Sequence, residues 1–443
     1  MTRIHRTGAS PGPARAAFRA TLVGLLLAVL APAAHAATAN ARFCVRNNLL
    51  YVDDAVTAFV NADYLLNGST TNPARGFRVR VQRLGTPPLP NPDFDGSTED
   101  GPGSLWCTPV LSLVVGAQYA ATVYSEGDIA SESFTVNKTV LAPAVAQHVA
   151  FVNIPAVPPA YYTVTTPATE DWHIAAVMSW SLYHNDTYTS GESYVAFSDN
   201  NCGDVDGDGL DDPCCDDHTS WTSCNSGGLI YYKHAHTEQR YTIAHELGHR
   251  VASLANGGVG ANTDDTRASG SVCPGAAAHR RDHWEWSSIA ANEGFAHYWA
   301  DVTMNDVAGA DCVSWSKDNV NWNLTGDDDG HVYDCDGPPV SGLGLADSDW
   351  VGDVCAADLP VTNTSNEYDY QRFFWDMTTD GGMDTYDVLA VWDAADPHLW
   401  TADGAGSGAG YPCYEFEDAA AAYSGGAFWA DWVDQSIVNG VYR

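Results

Sequence analysis

Residues 245–249 read His-Glu-Leu-Gly-His. On an α-helix, positions i and i+4 project from one face. His245 and His249 can therefore offer two imidazoles to one Zn²⁺, with Glu246 beside them to take a proton from water on the open side of the metal. Zinc that keeps water in its fourth position needs a third protein ligand. A His or Asp six residues beyond the motif, with Gly at the third, would supply it from nearby, but those places hold Ala255 and Ala252. The third ligand must come from elsewhere in the chain. A second group of chemistry-bearing residues is the run Asp204 to Asp212 (DVDGDGLDD). Acids at its positions 1, 3, 5 and 9 are Asp204, Asp206, Asp208 and Asp212, and Gly209 at position 6 permits a sharp turn, so their oxygens can converge on calcium. Position 12, where an EF-hand places a bidentate Glu, is Cys215, which argues against a true EF-hand. A shorter acidic run, Asp327 to Asp329 with Asp334 and Asp336, is a further calcium candidate.

The elements that must position these residues are legible in the hydrophobic pattern. The spacing predicts a helix over 239–254 around the His-Glu-Leu-Gly-His run, preceded by strands over 193–198 and 228–232 that flank the Asp- and Cys-rich loop. A helix over 171–184 places Ile174, Val177, Met178 and Leu182 on one face. Further helices are expected over 282–302, 368–377, 385–392 and 416–423. This order implies an α+β domain. From about residue 40 to 155 the pattern is all β: Phe77 to Leu84 (FRVRVQRL) alternates apolar with charged residues, and LSLVVG, QYAATVYS and ESFTVNKTVL follow at short intervals. That region is expected to be β-sandwich-like. The Pro-rich stretch 155–170 reads as a linker or the entry to a new domain, which gives domains over 37–155 and 156–443.

Residues 1–36 read as a secretory signal peptide: Arg3, Arg6, Arg15 and Arg19, a short apolar run from Leu22 to Leu30, and a small-x-small site at Ala34-His35-Ala36. The apolar run is too short to span a bilayer. An exported chain is expected, secreted, periplasmic or surface-held, and its eleven cysteines then read first as disulfides, with Cys44 and Cys107 paired, local bridges among Cys202, Cys214, Cys215 and Cys224, and at least one thiol left unpaired or bonded to another chain. The 443 residues carry 56 acids against 20 Lys and Arg, a net charge of −36, which excludes nucleic acid and anionic membrane as partners. Asp outnumbers Glu 44 to 12, in keeping with many turns and cation-binding loops. No feature of the sequence indicates an oligomeric state.

Downstream of the His pair, Asn292-Glu293-Gly294-Phe295-Ala296 falls on the helix expected over 282–302. HELGH followed by NEGFA resembles the gluzincin zinc metallopeptidases, the thermolysin-like and aminopeptidase-N-like families among them. The resemblance implies a zincin-like catalytic domain in which His245, His249 and Glu293 bind zinc and Glu246 is the general base. It implies hydrolysis of peptide bonds, with protein or peptide substrates and endopeptidase action. The match covers about 60 residues and has departures. Forty-three residues separate His249 from Glu293, about twice the usual gap, and the thermolysin-like Asp four residues past the ligand Glu is here His297. His297 is an alternative third ligand, and Asp301 a possible substitute for the missing Asp. No Gly-x-Met-Glu-Asn segment precedes the motif, which weakens the aminopeptidase form. Candidates to stabilise the oxyanion are His297, Tyr298, His331, Tyr333 and Tyr368. The 204–212 loop resembles the Asp-rich loops of thrombospondin type 3 repeats and dockerins. Two other readings stay open: a calcium-dependent adhesion or binding protein whose metal site is structural or vestigial, and a zinc hydrolase of non-peptide bonds.

Overall fold

The computed structural model describes residues 37–48, 74–85, 92–101, 105–185, 187–205, 212–214, 223–233, 240–260, 285–304, 307, 313–316, 331–334, 364–365, 367–400, 412–439 and 441. The expected signal peptide and the acidic run 327–329 lie outside them. The first part of the chain is built of strands: β1 (Thr38–Arg46), β2 (Phe77–Arg83), β3 (Phe94–Ser97), β4 (Glu99–Asp100), β5 (Trp106–Cys107), β6 (Leu111–Val114), β7 (Gln118–Ile129), β8 (Glu132–Asn137), β9 (Gln147–Asn153) and β10 (Tyr161–Thr165). Then come α1 (Glu170–His184), β11 (Ser193–Phe197), β12 (Asn201–Gly203), β13 (Asp212–Pro213), β14 (Cys224–Ser226), β15 (Leu229–Tyr231), α2 (Arg240–Ala255), β16 (Glu285–Trp286) and α3 (Ser287–Met304). The last part holds β17 (Val313–Ser316), β18 (His331–Asp334), β19 (Thr364–Ser365), α4 (Glu367–Thr379), α5 (Thr385–Ala394), α6 (Pro412–Ala422) and α7 (Trp429–Val438).

Period-two burial decides how the strands sit. Phe77, Val79 and Val81 of β2 are buried, while Arg78 and Arg80 between them face outward. β7 alternates in the same way along 12 residues and is the spine of the larger sheet. It pairs antiparallel with β2 along one edge, and with β9 and then β8 along the other. The order across this eight-stranded sheet is β14-β15-β11-β8-β7-β2-β3, with β9 beside β7. The second sheet runs β10-β1-β5-β4, with β6 also on β1. Cys44 stands opposite Cys107 where β1 meets β5, and the two form the expected disulfide.

The protein is thus mixed α+β, with two main sheets and seven helices among the described residues. The larger sheet continues past residue 155, because β8 pairs in parallel with β11, Ser133 opposite Ser193 through Asn137 opposite Phe197. A single hydrophobic core takes in Val79, Val123 and Phe134 before that residue, and Ile174, Leu247, Phe295 and Phe374 after it. The Pro-rich stretch contributes β10 rather than a bare linker.

α1 is buried on nearly every side, Trp172, Ala175, Ala176 and Trp180 joining the four residues of the expected face. A helix that is apolar all round belongs inside a core. Its polar groups then need partners. Ser181 Oγ lies 2.9 Å from Thr303 Oγ1, Trp180 Nε1 donates to Thr303 O at 2.8 Å, and Trp299 Nε1 donates to Ser181 Oγ at 2.9 Å. These bonds tie α1 to the C-terminal half of α3. No helix among the described residues is long and apolar enough to cross a membrane.

Candidate metal centre

Three helices meet at the site, and two glycines set how closely they approach. Gly248, inside the His-Glu-Leu-Gly-His run on α2, lies so near α3 that a Cβ there would stand 2.9 Å from Trp299 Cβ and 3.0 Å from Ala296 Cα. Gly294 on α3 is tighter against α4: a Cβ would fall 2.5 Å from Tyr370 Cβ and 2.7 Å from Glu367 O. Real side chains do not occupy such spaces. Without side chains at 248 and 294, α3 is pressed between α2 and α4, and Glu293 is carried up to the two histidines.

His245 Nε2 lies 3.2 Å from Glu293 Oε2, and His249 Nε2 lies 3.3 Å from the same oxygen. The imidazole rings are 4.8 Å apart and nearly perpendicular, at 83°. All three side chains keep a small opening to solvent, between 12% and 15% exposed, whereas the residues behind them are closed off. On that inner side His245 Nδ1 is 3.0 Å from His297 Nδ1, and His297 Nε2 is 3.0 Å from Glu367 Oε2. His297 and Glu367 are only 3% and 2% exposed. His245, Glu293 and His297 form a possible metal-binding group whose ligand atoms all lie within 4.8 Å of one another.

A second buried network braces these helices one turn further along. Tyr241 Oη is 2.7 Å from Asp301 Oδ1 and 3.0 Å from the carbonyl of His297, and Gln371 Nε2 donates to Asp301 Oδ2. Asp301 is therefore bonded to Tyr241 of α2 and Gln371 of α4. His297 itself stands at the back of His245, in the place for which Asp301 was the expected substitute. The partner of His297, Glu367, carried no signal in the sequence: it lies 70 residues away and one residue before the expected start of α4.

Glu246 is buried, 6% exposed, one residue along from His245. Burial holds the Tyr232 phenol well above its ordinary range, and the Glu246 charge adds to the effect. Tyr232 stays neutral and donates a hydrogen bond to Ile243 O at 2.9 Å. Among the expected oxyanion donors, Tyr298 is buried against Thr378 Oγ1 at 2.7 Å, burial pushing its phenol up, and His297 is engaged at both ring nitrogens. The side chains of His331, Tyr333 and Tyr368 lie outside the described residues, although the β17–β18 hairpin that carries the first two pairs Ser316 with His331 and rests its β17 strand on α2 and α3.

In the Asp-rich loop, Cys202 bonds Cys214, and β12 pairs with β13, so the two ends are held together. Cys224 is also disulfide-bonded. Asp204 is exposed at the loop's start. The other expected calcium ligands, Asp206 and Asp208, lie outside the described residues, as does the side chain of Asp212. Compared with known proteins, the chain matches no family model and no curated protein.

Proposed function

We propose that the protein is a zinc-dependent endopeptidase of gluzincin type, with His245, His249 and Glu293 as the zinc ligands and Glu246 as the general base. The observation that carries this reading is the approach of two imidazole Nε2 atoms, from one face of α2, to a single carboxylate oxygen of α3. Ligand atoms each ~2.0–2.1 Å from a tetrahedral ion stand roughly 3.3–3.5 Å from one another, close to the 3.2 and 3.3 Å separations here. Two nitrogens with one carboxylate oxygen suit zinc, whereas calcium and magnesium favour oxygen alone. His297 is better placed as support than as ligand, because both its ring nitrogens already face hydrogen-bonding atoms.

A zinc ion held by His245, His249 and Glu293 would supply a Lewis acid and lower the pKa of its water toward ~7. Glu246, as the general base, would hold the proton taken from the attacking water and hand it to the departing amine. Its burial keeps bulk water from competing for the proton. The slight exposure of His245, His249 and Glu293 gives a peptide access, while the closed inner side fixes the rings. In the acidic loop, the proposed role of Asp204, Asp206, Asp208 and Asp212 is to bind calcium as a structural ion. Export fits the disulfides.

The test is metal content and casein hydrolysis on wild type and Glu246→Gln. One zinc per chain in both, with turnover in the wild type alone, is expected. Zinc in both with turnover in neither would overturn the peptidase reading in favour of a binding protein.

A further inference from the structure

Resting on the metal-site reading above, we propose that His297 and Glu367 are a positioning pair that fixes the tautomer of His245, so that its Nε2 lone pair faces the metal. Three groups stand in line, Glu367 Oε2, both nitrogens of His297, and Nδ1 of His245, joined by two contacts of 3.0 Å, with Glu367 and His297 buried. A neutral imidazole has one donor nitrogen and one acceptor nitrogen. A carboxylate only accepts, so Glu367 takes the proton of His297 Nε2–H. With His297 neutral, its Nδ1 is then a lone pair that only accepts, so in the 3.0 Å contact His245 Nδ1 is the donor. His245 is left with its lone pair on Nε2, 3.2 Å from Glu293 Oε2. Two acceptor atoms that close repel each other, and a cation shared between them removes the repulsion. The direction of every bond in the row is thus set from its far end.

The pair replaces a single carboxylate by a longer link. A His at 297 cannot by itself hold its own tautomer, whereas a His anchored by a 2% exposed carboxylate on a third helix can. Gly294 is part of the device, since its close approach to Glu367 O and Tyr370 brings the start of α4 within reach of His297. Support of this kind behind a ligating imidazole typically changes metal affinity by 10–100-fold.

The experiment is zinc affinity by competition with a chromophoric chelator, on the full chain, for wild type, His297→Phe, Glu367→Ala and Glu367→Gln. Long-range ¹H–¹⁵N NMR of the zinc-loaded wild type with labelled histidine accompanies it. Expected are dissociation constants about 10–100-fold higher for His297→Phe and Glu367→Ala, and a smaller loss for Glu367→Gln, whose amide oxygen still accepts from His297. The NMR should place protons on His245 Nδ1 and His297 Nε2. Equal zinc affinity in wild type and all three variants, a proton on His297 Nδ1, or a His297 nitrogen shifted as a zinc ligand would each overturn the pair. Should a variant fail to fold, the wild-type tautomers decide. A wild type that binds no zinc overturns the metal-site reading itself, whereas zinc bound by wild type without these effects overturns this inference alone.

Discussion

The helical site and the Asp-rich loop both gather candidate cation ligands, but they hold them by different means. At the site the groups come from three helices, α2, α3 and α4, brought into register by close backbone approach at Gly248 and Gly294 and by buried polar bonds. In the loop the candidate ligands are neighbours in sequence, and the two ends are clasped by the Cys202–Cys214 bridge and the β12–β13 pairing. Non-local packing gives rigid placement at the cost of many sequence-distant requirements. Local clustering needs only a closed loop, and the cation itself completes the order. Under the proposed reading, chemistry that depends on orientation would belong to the first region and structural ion binding to the second.

The largest expected effect separates the two directly. Glu246→Gln should lower peptidase turnover by ~10²–10⁴-fold, the usual worth of a general base, with zinc content and thermal stability unchanged. A loss of folding instead would show that Glu246 is structural. Next, Gly294→Ala should force α3 away from α4, because the new methyl meets Glu367 O and Tyr370 Cβ. Overpacking costs ~1–3 kcal/mol, against the ~1 kcal/mol that Ala gains over Gly in a helix. A lower Tm together with weaker zinc binding is expected, and a variant that keeps both would break the claim that close approach positions the site.

The loop should respond otherwise. Replacing Cys202 and Cys214 by Ala opens a span of 12 residues, for which chain-entropy estimates give roughly 3 kcal/mol at most. Part of that is recovered because the loop can open locally. Calcium at ~100 times its dissociation constant should add up to ~2.7 kcal/mol to the unmodified protein, and Asp206→Asn with Asp208→Asn should abolish that gain. Turnover at saturating zinc should stay near wild type in both. A loop change that stops catalysis would merge the two regions into one unit.

The smallest expected effect is a pH dependence of the helical region. Asp376 on α4 accepts from Asn439 Nδ2 at 2.8 Å, and its burial pushes the carboxyl up to about 6. A carboxyl raised above its unfolded value of about 3.9 favours the folded state most when protonated. Its contribution is full below about pH 4 and is lost as pH rises through about 6. Asp376→Asn should flatten that slope in denaturant titrations between pH 4 and 7, by on the order of 1–3 kcal/mol. A slope identical in wild type and variant would remove Asp376 from the account.

Legibility in the sequence followed the reach of each signal. The i, i+4 pair His245 and His249 is a local pattern, and α2 at Arg240–Ala255 lies close to the helix expected over 239–254. The helix carrying Glu293 was legible too, although it starts at Ser287 because Glu285 and Trp286 pair with β19. The Cys44 and Cys107 pairing agrees with expectation. The His297–Glu367 contact was not legible, since two residues on separate helices leave no periodic trace. The same holds for the parallel pairing of β8 with β11, which carries the sheet past residue 155. Glycine is locally unfavourable inside a helix, and only the packing of α3 between two neighbours shows why Gly248 and Gly294 are there.

The central claim is that His245, His249 and Glu293 share one zinc ion, and anomalous diffraction at the zinc edge from crystals of the full chain tests it most directly. The expected result is a single strong peak ~2.0–2.2 Å from His245 Nε2, His249 Nε2 and a carboxylate oxygen of Glu293. A peak bound to His297 in place of His249 or Glu293, or no peak between the imidazoles at saturating zinc, would contradict it.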